Sequence, residues 1–141
     1  MAVAVLEDGT AEDDERSTPV PTKSAAARSM LTTLILSDNG LSTEGSSLLA
    51  EVLMVNTTLT ALNLRRNGLG ISGTRNLTQA LKKNANLRVL EIEDNNIGPE
   101  GADLVAECVR NNAVLHTLNL RLNDLQPKGA GFIASALKVS S

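Results

Sequence analysis

The chain has 141 residues, a formal net charge of −3, one cysteine and a single aromatic residue, Phe132. That length holds one domain with a tail, and one cysteine excludes an intramolecular disulfide framework. The whole net charge sits in residues 1–30, where Glu7, Asp8, Glu12, Asp13, Asp14 and Glu15 outnumber Arg16, Lys23 and Arg28; the neutral remainder speaks against nucleic-acid binding, which depends on accumulated phosphate neutralisation.

Residues 1–22 combine the acidic run Glu12-Asp13-Asp14-Glu15 with Ser17-Thr18-Pro19-Val20-Pro21-Thr22, a composition that predicts a disordered, solvated tail. The opening MAVAVL is too short for a signal peptide and runs into acids. No segment is long and apolar enough to span a membrane. The expected compartment is the cytoplasm, with the nucleus as the second choice. Residues 23–30, rich in alanine, are expected to form a partial N-terminal cap on the first strand.

From Leu31 one frame is written four times, opening at Leu31, Leu59, Leu87 and Leu115 with a constant 28-residue period. The frame is L-x-x-L-x-[LI]-x-x-N-x-[LI]-x-x-x-G, and the copies run 31–58, 59–86, 87–114 and 115–141. A fixed period of this size signals a solenoid, whose units bury their apolar faces only against one another. In the second copy Leu62 and Leu64 alternate with exposed positions, as in a short half-buried strand. Asn67 and Gly68 supply a turn, and Leu69 returns inward. Leu77, Ala80 and Leu81 then recur at helical spacing and form an inward stripe.

The other copies repeat these roles. Strand positions are Leu34 and Leu36, Leu90 and Ile92, Leu118 and Leu120; the post-turn positions are Leu41, Ile97 and Leu125. The helical stripes are Leu49, Val52 and Leu53, then Val105, Cys108 and Val109, then Ile133, Ala136 and Leu137. Asn39, Asn67, Asn95 and Asn123 fall in register and are expected to stack as a ladder that satisfies loop backbone groups.

This frame resembles the ribonuclease-inhibitor-like class of leucine-rich repeats, over Leu31 to Ser141. The phrases VNTTLTALNL and NNIGPEGA are also similar to repeats of NOD-like receptors and Ran GTPase-activating proteins. The resemblance implies an α/β right-handed solenoid, a horseshoe segment of four strand-helix units with a parallel sheet on the concave face. It further implies a non-enzymatic protein-interaction or scaffold module binding a protein partner through that face. A GTPase-activating regulator of a Ran-like small GTPase, and a fragment of a NOD-like receptor sensor array, are the alternatives it raises.

Outward strand slots of neighbouring units align laterally. One row reads Ser37, Arg65, Glu93, Arg121; a second Asp38, Arg66, Asp94, Leu122; a third Ile35, Asn63, Glu91, Asn119. The first two alternate in sign, which suits both a salt-bridge ladder and a charged recognition face. The candidate partner-binding residues are Asn63, Arg65, Arg66, Arg88, Glu91, Glu93, Asp94, His116, Asn119 and Arg121. With no Trp or Tyr to anchor it, such a face suits weak, transient binding.

Other motifs yield to the repeat frame. Gly68-Leu69-Gly70-Ile71-Ser72-Gly73 matches a dinucleotide-binding fingerprint, but Gly73 occupies the slot of Gly45, Gly101 and Gly129. His116 is the single histidine, so neither a metal site nor a nucleophile-base pair can be assembled around it, and no cofactor or catalytic residue is expected. Cys108 lies on an inward stripe and reads as a small core residue. The last copy has no polar cap after it, which leaves three readings open: a fragment of a longer array, self-association through the uncapped C-terminal repeat, or a frayed final helix.

Overall fold

The computed structural model describes the backbone of residues 3–5 and 30–139. Strand β1 (Val3–Val5) is followed by four strand-helix pairs. These are β2 (Thr33–Ile35) with α1 (Ser42–Val55) and β3 (Ala61–Asn63) with α2 (Gly70–Leu81). Then come β4 (Val89–Glu91) with α3 (Gly98–Asn111) and β5 (Thr117–Asn119) with α4 (Gln126–Val139). The strands form one parallel sheet in chain order. Leu34, Leu62, Leu90 and Leu118 lie side by side across it, each one repeat period from the next. Each helix packs against the next, α1 on α2, α2 on α3 and α3 on α4. The architecture is the expected solenoid.

The core runs between sheet and helices and is continuous through the units. Leu62, Leu64, Leu90 and Ile92 from the strands meet Leu69 and Ile97 from the turns, and Leu77, Leu81 and Val105 from the helices. Burial grades along the array. Leu62 and Leu64 are 1% and 0% exposed, whereas their counterparts Leu34, Leu36, Leu118 and Leu120 are only half-buried. In these strand slots a leucine is sealed only when a unit stands on each side of it, the expected signature of stacked repeats.

Two expectations need correction. Val3–Val5, placed in a disordered tail, forms a strand against Thr33–Ile35. The short added strand covers the edge of β2, which otherwise offers unpaired backbone groups. Val52 and Leu137, assigned to inward stripes, are 54% and 59% exposed. Ala80 and Cys108, the counterparts of Val52, and Leu81, that of Leu137, are buried on helices with a neighbour on each side, while α1 and α4 each have a described helix on one side only. The expected cap falls mostly outside the described residues, and Met30 at its end is exposed.

The turns are built differently from the expected asparagine-glycine pair. Each unit places three residues in the left-handed region: Asp38, Gly40 and Ser42; Arg66, Gly68 and Gly70; Asp94, Asn96 and Gly98; Leu122, Asp124 and Gln126. Leu122 stands out, a branched apolar side chain at φ 56° and exposed to solvent. Left-handed backbone costs an ordinary L-residue roughly 1–2 kcal/mol, which asparagine tolerates better. Leu122→Asn should therefore stabilise the fold by about 1 kcal/mol, read as a rise in melting temperature.

The recurrent glycine has a packing role. A Cβ on Gly73 would lie 2.9 Å from the Leu69 Cβ and 3.0 Å from the Ser46 Oγ, and one on Gly101 would overlap the Ile97 Cγ2. The first helical turn thus closes onto the inward residue just before it, with room for a hydrogen only. In an open helix Gly→Ala gains up to about 1 kcal/mol. At Gly101 overpacking of roughly 1–3 kcal/mol opposes that gain. Gly101→Ala is expected to destabilise by about 1–2 kcal/mol, whereas Gly131→Ala, in α4 with open space around it, should stabilise. Urea unfolding of the two variants shows the opposite signs.

Candidate protein-binding face

The turns that end the strands are fixed by the predicted ladder. Asn67 Oδ1 accepts from the backbone N–H groups of Asn39 (3.1 Å) and Leu41 (3.3 Å), one unit back. Asn95 Oδ1 does the same for Asn67 and Leu69, and Asn123 Oδ1 accepts from Asn95. Each amide also donates backward, Asn67 Nδ2 to Leu36 O, Asn95 Nδ2 to Leu64 O and Asn123 Nδ2 to Ile92 O. A second ladder at the far end was not anticipated. Asn84 Nδ2 donates to Leu53 O and Asn112 Nδ2 to Leu81 O, while their Oδ1 atoms cap the chain entering the next strand at Leu87 and Leu115. The signal was legible in the asparagines at 56, 84 and 112.

Between these two clamped ends, the strands present their outward side chains as three rows. The expected lateral pairing is present. Arg65 lies 3.4 Å from Glu93, and Arg66 reaches Asp94 at 3.2 Å and Asp38 at 3.8 Å. Asn63 Nδ2 donates to Glu91 Oε2 at 3.3 Å and Asn119 Nδ2 to Glu93 Oε2 at 3.2 Å. Asn63 and Asn119 also use their Oδ1 atoms to accept from the N–H groups of Arg65 and Arg121, bracing the ends of their own strands.

The predicted residues do not contribute equally. Glu93 is only 6% exposed, a correction to its expected role of reaching outward. The Arg65 and Asn119 side chains close over it, so it anchors the face from beneath. Arg65 is half-buried, and its Nε–H is enclosed without a hydrogen-bond acceptor among the described residues. Arg66, Arg88, His116 and Arg121 are exposed, and Asn63, Glu91, Asp94 and Asn119 are half-buried. The His116 Nδ1 meets the Val114 carbonyl, which ties the ring to its own loop.

Two hollows flank these rows. One, of about 130 Å³, lies on the strand face over Thr33, Ile35, Ala61 and Val89, bounded by Asn63 and Glu91. Sequence reasoning missed it. The other, of about 270 Å³, opens at the outer edge of β5 between Leu115, Leu118, Leu120, Ile133 and Leu137. Cys108 is buried between α3 and its neighbours, and burial pushes its thiol up to about 11, so it stays protonated at neutral pH. Among the described residues no cluster of His, Cys, Asp or Glu could hold a metal ion, and no helix is long and apolar enough to cross a membrane.

Residues 29–50, 55–74, 83–106 and 111–134 match the family described as Leucine Rich repeat, well over half of the chain. The chain belongs to the leucine-rich repeat family. Among solved structures, this leucine-rich repeat protein is similar to leiomodin-1 actin-binding site 2, with a TM-score of 0.61 and 20% identity over 77% of this chain. That likeness spans 65% of the leiomodin chain. It is also similar to the tropomodulin C-terminal domain of Caenorhabditis elegans, with a TM-score of 0.54 and 15% identity, covering 77% of this chain and 83% of that one. At these identities the likeness is one of fold. No curated protein sequence matches the chain.

Proposed function

We propose that this leucine-rich repeat domain is a non-enzymatic protein-interaction module that binds a protein partner through the concave strand face. The observation that supports this most directly is a rigid row of polar side chains drawn from successive units. Their backbones are locked by the ladder from Asn39 to Asn123, and two exposed charges of the face, Arg121 in a row and Arg88 just before β4, enter no ion pair among the described residues. Preorganised side chains lose little conformational entropy on binding, which suits recognition without large aromatic anchors. The 28-residue period with a helical second half supports placing the repeats in the ribonuclease-inhibitor-like class, and we read the cytoplasm as the compartment.

The test is to reverse these two cations while sparing those that hold the face together. Arg88→Glu/Arg121→Glu should weaken partner capture about tenfold or more, since each reversed rim charge costs on the order of 1 kcal/mol. Arg75→Glu, exposed on α2, should leave capture unchanged. Equal loss from both variants, or loss from the helix variant alone, would move the binding face to the convex side.

A narrower reading takes actin as the partner. It is favoured by the likeness, across 77% of this chain, to the leiomodin domain, itself an actin-binding site. Co-sedimentation with filamentous actin, alongside capture of monomeric actin, tests it. The Ran-like alternative predicts faster GTP hydrolysis by Ran when the domain is added, and the interaction-module reading predicts none.

A further inference from the structure

We infer that the hollow on the strand face receives a lysine or arginine side chain of the protein partner, with Glu91 as its counter-charge. The inference rests on the concave face being the binding face, and it names the chemistry that face selects.

The charge pattern around the hollow is the first argument. Each of the other carboxylates on the strand rows is matched by a guanidinium: Glu93 by Arg65, and Asp94 and Asp38 by Arg66. Glu91 is different. Its carboxylate accepts from the neutral Asn63 amide at 3.3 Å, and among the described residues no lysine or arginine comes within ion-pair distance. The amide fixes one oxygen and leaves negative charge facing outward.

The shape of the hollow is the second. In the lateral row Thr33, Ala61, Val89, Thr117, the smallest side chain is Ala61, and the missing bulk between Thr33 and Val89 makes the depression of about 130 Å³. Its wall on the β2 side is Ile35, 37% exposed and apolar. An apolar trough ending at a carboxylate fits a side chain with a methylene stem and a cationic tip, the form that buries its stem and keeps its head polar. A purely apolar group would cover Glu91 without replacing the water it loses, and an acidic group would be repelled. A metal ion would find a single carboxylate there, too few ligands to hold it.

The experiment is a nitrogen-15 NMR titration of the full chain with the peptide acetyl-Gly-Ser-Lys-Ser-Gly-amide. Versions carrying Nε-acetyl-lysine or norleucine at the centre are run beside it. Saturable shifts confined to the amides of Thr33, Ala61, Val89 and Glu91 are expected, with millimolar affinity for the lysine peptide. Affinity should fall about fivefold for the acetylated and norleucine peptides and in Glu91→Gln, the loss appropriate to one exposed ion pair. Ala61→Ile, which fills the trough and leaves Glu91 in place, should also lose binding. Thermal melts confirm that both variants stay folded. Absence of localised shifts, equal affinity for norleucine, or unchanged affinity in Glu91→Gln would overturn the inference. Partner capture separates the two levels. If Arg88→Glu/Arg121→Glu abolishes capture while Glu91→Gln retains it, the face is right and the lysine seat is wrong. If neither variant affects capture, the face itself fails.

Discussion

Asn95→Ala is expected to destabilise the fold by about 3–5 kcal/mol, a large part of the stability of a domain this size. Asn95 is fully buried. Its Oδ1 serves the N–H groups of Asn67 and Leu69, and its Nδ2 serves the carbonyls of Leu64 and Glu93. Truncation removes the partner and leaves those donors in a dry interior, where an unsatisfied group costs about 1–3 kcal/mol. Water has little room to compensate between two units. Asn39 occupies the same slot in the first unit but is exposed, and among the described residues its Nδ2 reaches Ser37 O alone. Asn39→Ala should cost well under about 1 kcal/mol, since water can replace that bond. Urea unfolding of the two variants checks the ladder's energetics through this contrast. Similar costs at the two positions would show that the asparagines are held by local turn preference rather than by the neighbouring unit.

Leu64→Ala should cost about 3–5 kcal/mol, the range for a fully buried leucine that leaves a cavity. The reason is positional. Leu64 is 0% exposed, sealed by the units on either side, and the strands above and below cannot collapse inward because the ladders hold both their ends. Leu36 and Leu120 are the same residue in the same slot at the outer units, and both are half-buried. Their truncation should cost roughly half as much, because less apolar area returns to water and the site opens onto solvent. A flat profile across the three positions would contradict burial by stacking as the source of stability.

These two predictions show what the sequence carried. The role of Leu64 follows from period 2 within a strand and period 28 between strands, and that of Asn95 from its register with Asn67 and Asn123. What escaped was whatever depends on a difference between units. Val52 and Ala80 share a slot, yet one faces outward and the other is sealed, because a repeat frame carries no information about who stands next to the first and last copy. Glu93 read as an outward charge, but its exposure is set by the reach of Arg65 and Asn119 on the adjoining strands. The hollow beside Glu91 exists because Ala61 is smaller than Thr33 and Val89, a comparison visible only once the three are known to be lateral neighbours. Strand β1 pairs Val3 with Thr33, a separation that does not match the repeat period, so the frame passed over it. The left-handed Arg66 and Leu122 bear none of the glycine or asparagine signal by which such turns are recognised.

The recognition face exists only if neighbouring units are locked to each other, and native-state hydrogen exchange tests this most directly. Amides of β3, β4 and the helices α2 and α3 should exchange through one shared opening, with the same free energy and the same dependence on denaturant, while α4, packed against one described helix only, exchanges earlier. Separate opening energies for β3 and β4, each with its own shallow denaturant dependence, would mean that the units fold alone and that no fixed face is built between them.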